Sequence, residues 1–455
     1  MVSRHRLTRA FAAHSQLALA FGAALAPGSA GAAAEAAATA ASAADEAYAI
    51  HGQATYVEQE TGSFTAPYGG PNSLSQNEGR ETVDATLFVG VRTWRGAEAW
   101  ITPEIDQGFG LDDTLGVAGF PSAEAYKVGR KEPYLRLPRA FLRETVNLDE
   151  ASDAVGADQL QLRGTRSPNR WVFTIGKFSV TDIFDTNAYA HDPRADFLNW
   201  TAIDAGSFDY AADAWGFTAG AAAEWYQGPW ALRSGVFDLS NVPNSEHLDP
   251  GGHEFQLDEE LERRYQLAGL PGRISVTVFD SRGRMGLLDQ AVELAALSGG
   301  TPNIAGVREY RSRLGASLGA EQQLATDLGL FARIGKAAGN VEAFEFTDID
   351  RSVSVGASLQ GSAWRRSADT IGLAAVVNGI SASRERYLNA GGLGLLIGDG
   401  KLPHPRAEQI VETYYKLAVF ARDAVSLDYQ WVMNPAYNTD RGPVSIVAIR
   451  VHAQF

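Results

Sequence analysis

The chain contains no cysteine. That excludes a disulfide scaffold, a thiolate metal site and a cysteine nucleophile. Long apolar runs are missing as well. Past the N-terminal region, nothing approaches the roughly 20 consecutive apolar residues that a spanning helix needs. Positive charge is scarce, with 39 Lys and Arg against 54 Asp and Glu, for a net charge of −15. Such a chain has no electrostatic reason to bind nucleic acid. Its eight histidines form neither an HExxH pattern nor a close pair, so no metal or cofactor is expected. If a chain with these absences crosses a membrane, it does so as a β-barrel, because only helices and closed barrels satisfy every backbone group in lipid.

The N-terminus points to export. Arg4, Arg6 and Arg9 form a basic segment, Leu17 to Leu25 a short apolar core, and Gly28 to Ala32 supply small residues, with cleavage expected near Ala30 to Ala34. Residues 1–32 thus read as a cleavable signal peptide and 33–47 as an Ala-rich flexible leader. Residues 48–455 form a single barrel domain in this reading. At ~10 residues per strand plus turns and longer loops, a mature chain of this length gives about 16 strands.

A period of two runs through the sequence. In the last nine residues Val447, Ile449, Val451, Ala453 and Phe455 alternate with positions that include Arg450, His452 and Gln454. These sets fall on opposite faces of a strand. Arg on a lipid face near the bilayer midplane costs roughly 2–4 kcal/mol, so Arg450 belongs on the inside. Tyr48 to Tyr56 is a candidate first strand, expected to pair with the last and close the barrel. Similar rows occur at Val83–Val91, Leu314–Ala320, Leu328–Ile334, Val353–Leu359, Val411–Val419 and Leu427–Met433. Another runs from Trp215 to Trp225, with an indole at each end of what reads as an outward row. Leu287 to Leu297 reads as a short helix placed in a loop. Pro271-Gly272, Gly299-Gly300 and Gly391-Gly392 read as turn signals.

Residues 176–204, GKFSVTDIFDTNAYAHDPRADFLNWTAID, break the alternation. Dense charged, amide and aromatic side chains suit a loop that folds inward and narrows a lumen. With AWGFTAGAAAEWYQGPWALRSGVFDLSNVPN (214–244), SFTAPYGGPNSL (63–74), PEIDQGFG (103–110) and NPAYNTDRGPV (434–444), this stretch resembles the carbohydrate-selective porins of the OprB type. Two departures stand out: Ser122-Ala123 where Asn-Gly is expected, and an irregular stretch from Asp149 to Leu160.

The resemblance implies a 16-stranded antiparallel transmembrane barrel in the bacterial outer membrane that lets sugars diffuse passively into the periplasm. It implies no enzyme. A sugar filter needs hydrogen-bonding groups of both signs, aromatic faces and only weak binding. Candidates from the inserted loop are Asp182, Asp185, Asn187, His191, Asp192, Arg194 and Asn199. Candidates from the wall are Arg92, Glu104, Arg143, Arg333, Lys416 and Arg450. Expected partners are sugars, outer-membrane lipid and lipopolysaccharide, and the barrel assembly machinery through Phe455. Monomer and homotrimer both stay open.

Gly315-Ala316-Ser317-Leu318-Gly319 fits the G-x-S-x-G nucleophile pattern but lies within an alternating strand, not at a strand-to-helix turn. GGLGLLIGDG (391–400) lacks a dinucleotide fingerprint's third glycine and reads as a turn with a strand. The remaining alternatives are a general diffusion porin, an outer-membrane hydrolase and a surface adhesion protein.

Overall fold

The computed structural model describes residues 45–125 and 129–455. The expected signal peptide and nearly all of the expected Ala-rich leader lie outside the described residues. Eighteen strands follow. In chain order they are β1 (Tyr48–Thr61), β2 (Gly79–Trp94), β3 (Ala97–Gly108), β4 (Arg130–Asn147), β5 (Asp153–Val155), β6 (Gly164–Arg166), β7 (Arg170–Phe178), β8 (Thr218–Gln227) and β9 (Trp230–Asp238). They continue as β10 (Phe255–Leu267), β11 (Leu270–Gly286), β12 (Arg308–Ala325), β13 (Leu328–Ala337), β14 (Arg351–Gly361), β15 (Arg366–Gly379), β16 (Glu408–Ala418), β17 (Ala424–Met433) and β18 (Val444–Gln454). All but β5 and β6 form one closed antiparallel barrel of 16 strands, and β5 and β6 form a separate small hairpin.

The closing seam joins β1 to β18, with Tyr56 opposite Val451 and Val57 opposite Arg450. Phe455 exchanges two backbone hydrogen bonds with Gly52, at 3.0 and 3.1 Å. Its ring lies where a Cβ on residue 52 would stand, 2.3 Å from the nearest ring carbon, so any larger residue there would displace the ring.

The alternation divides outside from inside. Leu135, Ile175, Leu314 and Leu427 point outward, between 58% and 72% exposed. Moved from water into lipid, each such side chain recovers roughly 1.5–3 kcal/mol, which makes this face a membrane surface. On β10 the neighbours Asp258, Glu260 and Glu262 point inward and are fully buried. Stacked Trp171 and Phe173 with Trp225 begin an outward aromatic band.

Strand connections sort by length, with one exception, the long excursion between β4 and β7 at the end of the tight turns. One end of the barrel carries tight connections such as Arg95-Gly96, Ala268-Gly269 and Thr326-Asp327, together with Tyr48 and Phe455. The other carries the long loops. Here these are the turn end and the loop end. Helix α1 (Trp200–Ile203), α2 (Leu288–Ser298) and α3 (Ala382–Asn389) all sit in long loops, so the helix expected near 287–297 is present.

Three local expectations need correction. Pro271-Gly272 lies inside β11, and the turn is Ala268-Gly269, where both residues take positive φ. Residues 391–400 form no strand. They fold as a loop against Gly70 and Asn72. The outward row begins at β8, not at Trp215. The Asp213 carboxylate accepts the backbone N–H groups of Trp215 and Phe217, and this turn swings both rings to the inner side of β4.

Candidate functional site

The segment between β7 and β8 leaves the wall and crosses the lumen. Ser179 and Asp182 form a capping box that starts a short 3₁₀ turn at Val180–Asp182. Further on, the Asn199 side chain accepts the Thr201 N–H and begins α1. Every residue from Phe197 to Ala214 is buried.

An irregular segment buried this way must find partners for its backbone, and the inward side chains of the wall supply them. Glu412 on β16 accepts the N–H groups of Leu198 (2.6 Å) and Asn199 (3.0 Å). Glu260 on β10 accepts that of Asp185 at 2.9 Å, and Glu321 on β12 that of Ala188 at 2.7 Å. Arg333 on β13 donates to the carbonyls of Asp185, Ala190 and Ala202 and to the Asp185 carboxylate at 3.1 Å. Arg450 on β18 donates to the carbonyls of Pro193 and Asp196. Small wall residues leave room. A Cβ at Gly329 would stand 2.0 Å from the Tyr189 ring.

The predicted site residues therefore fall into groups. Asp185, Asn199, Arg333 and Arg450 are almost wholly buried and engaged within the protein. Asn199 donates to the Gly119 carbonyl and Gln430 while its oxygen holds Thr201. Asn187 accepts from the Tyr189 N–H, and Asp192 from the Arg194 N–H. His191 is half-buried, and burial together with the Arg333 charge lowers its pKa. Asp204, beyond α1, is buried, and its pKa is pushed up to about 8 by burial and then by the nearby Asp185 charge.

Asp182 and Arg194 meet the wall at β2, β3 and β4. Arg139 on β4 forms a two-pronged pair with Asp182, at 2.6 and 2.8 Å. Arg194 reaches Glu124 of the β3–β4 loop at 3.0 Å, Asp84 on β2 at 3.4 Å and Glu104 on β3 at 3.7 Å. Arg136 pairs with Glu104 and Asp106. Arg139, Asp182 and Arg194 keep 16%, 24% and 17% of their side chains exposed, unlike the anchors on β13 and β18. Aromatic rings adjoin them. Trp215 donates its indole N–H to Tyr134 at 3.0 Å, the Arg136 guanidinium lies 5.3 Å from the Trp215 ring, and that of Arg139 lies 4.9 Å from Phe217. Lys416, on β16, is half-buried and faces the lumen.

Arg92 and Arg143 lie elsewhere, toward the turn end. Both approach Glu98, and both donate to carbonyls of the β4–β7 excursion, at Arg163 and Leu160 respectively. The inward cluster also includes Arg136, Arg139, Asp84, Glu124 and Trp215, which the reading of residues 176–204 left out. For the arginines a signal was present: Tyr134, Arg136, Arg139, Phe141 and Arg143 fall on one face of β4 once the bulge near Thr102 shifts the register. Trp215 and Phe217 carried none, because their position depends on the Asp213 turn.

The sequence model of a family described as "Carbohydrate-selective porin, OprB family" matches residues 72–455. No protein of curated function matches the sequence. Among solved structures, OprB of Pseudomonas putida at high pH superposes with a TM-score of 0.67 at 14% identity, over 90% of this chain and 94% of that one. The outer membrane channel DcaP of Acinetobacter baumannii gives 0.48 at 11% identity, over 90% and 98% of the two chains. A mutant porin of Rhodopseudomonas blastica gives 0.44 at 8% identity, over 90% and 100%. At 14% identity the OprB likeness shows the fold.

Proposed function

Since the chain belongs to the OprB family of carbohydrate-selective porins, channels of the bacterial outer membrane and not enzymes, we propose that it passes glucose-type monosaccharides and small oligosaccharides into the periplasm by passive diffusion. The constriction in this reading lies where the inserted segment faces β2, β3 and β4. Arg139, Asp182 and Arg194 supply donors and acceptors to sugar hydroxyls, and Trp215 supplies a face for pyranose C–H groups. The observation that carries it is the pairing of Arg139 with Asp182 and of Arg194 with Glu124, near Trp215 against Arg136, with part of the Arg139, Asp182 and Arg194 side chains left accessible. Charges already paired within the protein bind hydroxyls weakly, and weak binding is what passage requires. Asp185, Asn199, Arg333 and Arg450 position the loop in this reading and do not touch solute.

The turn end faces the periplasm, as short connections do in barrels of this kind. Residues 48–455 make up the barrel domain, preceded by a removable signal (1–32) and a leader (33–47). The outward rows meet outer-membrane lipid and lipopolysaccharide, and the Phe455 ring at the seam is the handle for the assembly machinery. Monomer or homotrimer is decided by hydrodynamic measurement.

The test is planar-bilayer conductance of the full-length protein titrated with glucose and maltose. Concentration-dependent block, weakened several-fold by Arg139→Gln, is expected. Indifference to both sugars, with liposome swelling no faster for sugars than for amino acids of similar size, would sink the reading in favour of a general diffusion pore.

A further inference from the structure

At the turn end, away from the central loop, the β4–β7 excursion and the inward ends of β7, β8 and β10 enclose a recess of about 580 Å³. Asp153, Gln161, Arg166, Arg170, Tyr226 and Arg264 line it. Arg170 is only 8% exposed, lies 3.9 Å over the Tyr226 ring, and donates to the carbonyls of Ser167 (3.2 Å) and Pro168 (3.3 Å). Its Nε has no hydrogen-bond partner. Elsewhere on the inner wall Arg136, Arg143, Arg233 and Arg273 each pair with a carboxylate. Arg170 and Arg166 have none within 4.0 Å among the described residues, and Arg166 meets only Gln161 at 3.3 Å. Arg264 is held by Glu262 at 2.7 Å but keeps 46% of its side chain exposed.

In a chain of net charge −15, Arg170 and Arg166 place two positive charges without a carboxylate partner beside one cavity; Arg450 lacks one too, but it is held by the carbonyls of Pro193 and Asp196 and lines no such recess. A buried charge without a counter-charge is costly, and an incoming anion removes that cost. The guanidinium fork fits a carboxylate with two parallel hydrogen bonds. The recess is also much larger than a bare inorganic ion needs and falls in the range of pockets that hold small organic ligands.

We propose that this recess is a second solute subsite, at the turn-end mouth, that binds sugars carrying a carboxylate, such as uronic or aldonic acids, through Arg170 and Arg166. This subsite lies outside the neutral-sugar constriction and does not depend on how that constriction behaves.

The experiment is isothermal titration of the detergent-solubilised, full-length protein with glucuronate at low ionic strength, with inorganic phosphate as the second probe. Saturable glucuronate binding is expected, weakened at least ten-fold in the Arg166→Gln/Arg170→Gln double variant. Glucose block in planar bilayers should match the unmodified protein, which also reports that the variant is folded. If the double variant loses conductance, Arg166→Gln alone, at an exposed position, takes its place with an expected loss of about three-fold. Equal glucuronate binding by parent and variant overturns the site. Tighter binding of phosphate than of glucuronate overturns the sugar-acid assignment. A failed glucose block leaves the glucuronate titration standing, so the two readings fail separately.

Discussion

Two segments leave the barrel wall and turn inward, and they are held in opposite ways. Residues 179–217 enter from the loop end and are buried without a break from Phe197 to Ala214. Residues 148–169 enter from the turn end, and only Leu162 and Ser167 among them are buried. The first is held by full charges on at least five strands, among them Glu260, Glu321, Arg333, Glu412 and Arg450. The second is held by a few contacts, notably Gln159 to Gln53 at 2.6 Å, Arg92 to the Arg163 carbonyl and Arg143 to the Leu160 carbonyl. Both look alike in sequence, as polar interruptions of period two. What separates them is whether the facing wall offers partners for an unpaired backbone, which makes the central segment a fixed part of the barrel and the turn-end segment a loosely attached one.

Removing an anchor of the central segment should give the largest effect. Arg333→Met strands the Asp185 carboxylate and three carbonyls in a buried setting. Losing one partner of a buried pair costs about 3–5 kcal/mol. Thermal unfolding followed by heat-dependent gel mobility should show it, and a loss under ~1 kcal/mol would mean that the anchors are dispensable. Next comes pH. Asp204 has its pKa raised from 3.8 to about 8, so the native state keeps a proton that the unfolded chain loses above pH ~4. Its contribution to stability is greatest at low pH and falls as pH rises through 8. Asp204→Asn should therefore flatten the dependence, with a higher melting temperature than the parent at pH 9 and little change at pH 4. Asn199→Ala removes the α1 cap and two further hydrogen bonds and should cost about 1–2 kcal/mol by the same assay.

These effects show which parts of the molecule the sequence made readable. The barrel was legible because lipid enforces the rule on every strand: Leu314, Leu427 and Val447 had to face outward, and a one-residue slip would have put Arg313 or Arg450 into the membrane. The insertion at 176–204 was legible as a break in that rule. The tasks of its residues were not. Arg333 and Arg450 satisfy carbonyls far away in sequence, at Ala190 and Pro193, and no local pattern encodes that. Trp215 shares a parity with the outward row from Ala219 to Trp225, yet the Asp213 turn breaks the strand before it begins, so periodicity assigned it to the wrong face.

The smallest effect should come from the turn-end segment, and it sharpens the comparison most. Leu148 and Asn169 are joined by a backbone hydrogen bond of 2.9 Å, and Asn147 stands opposite Arg170. The β4–β7 hairpin is thus already closed at its neck, and residues 149–168 can be replaced by an Asn-Gly turn. Little apolar surface is lost, since Leu162 is the one buried apolar side chain of the segment. Its removal forfeits roughly 1.5–3 kcal/mol of burial, partly offset by the entropy no longer spent on ordering an exposed chain. The expected net change is below about 1–2 kcal/mol. Conductance should move the other way. With Gln159 and Leu160 gone from Gln53 and Arg143, the turn-end mouth widens, and single-channel conductance should rise while glucose block persists. Unchanged conductance would place the whole resistance at the central segment. A stability loss as large as that of Arg333→Met would erase the distinction between a fixed insertion and a loosely held one.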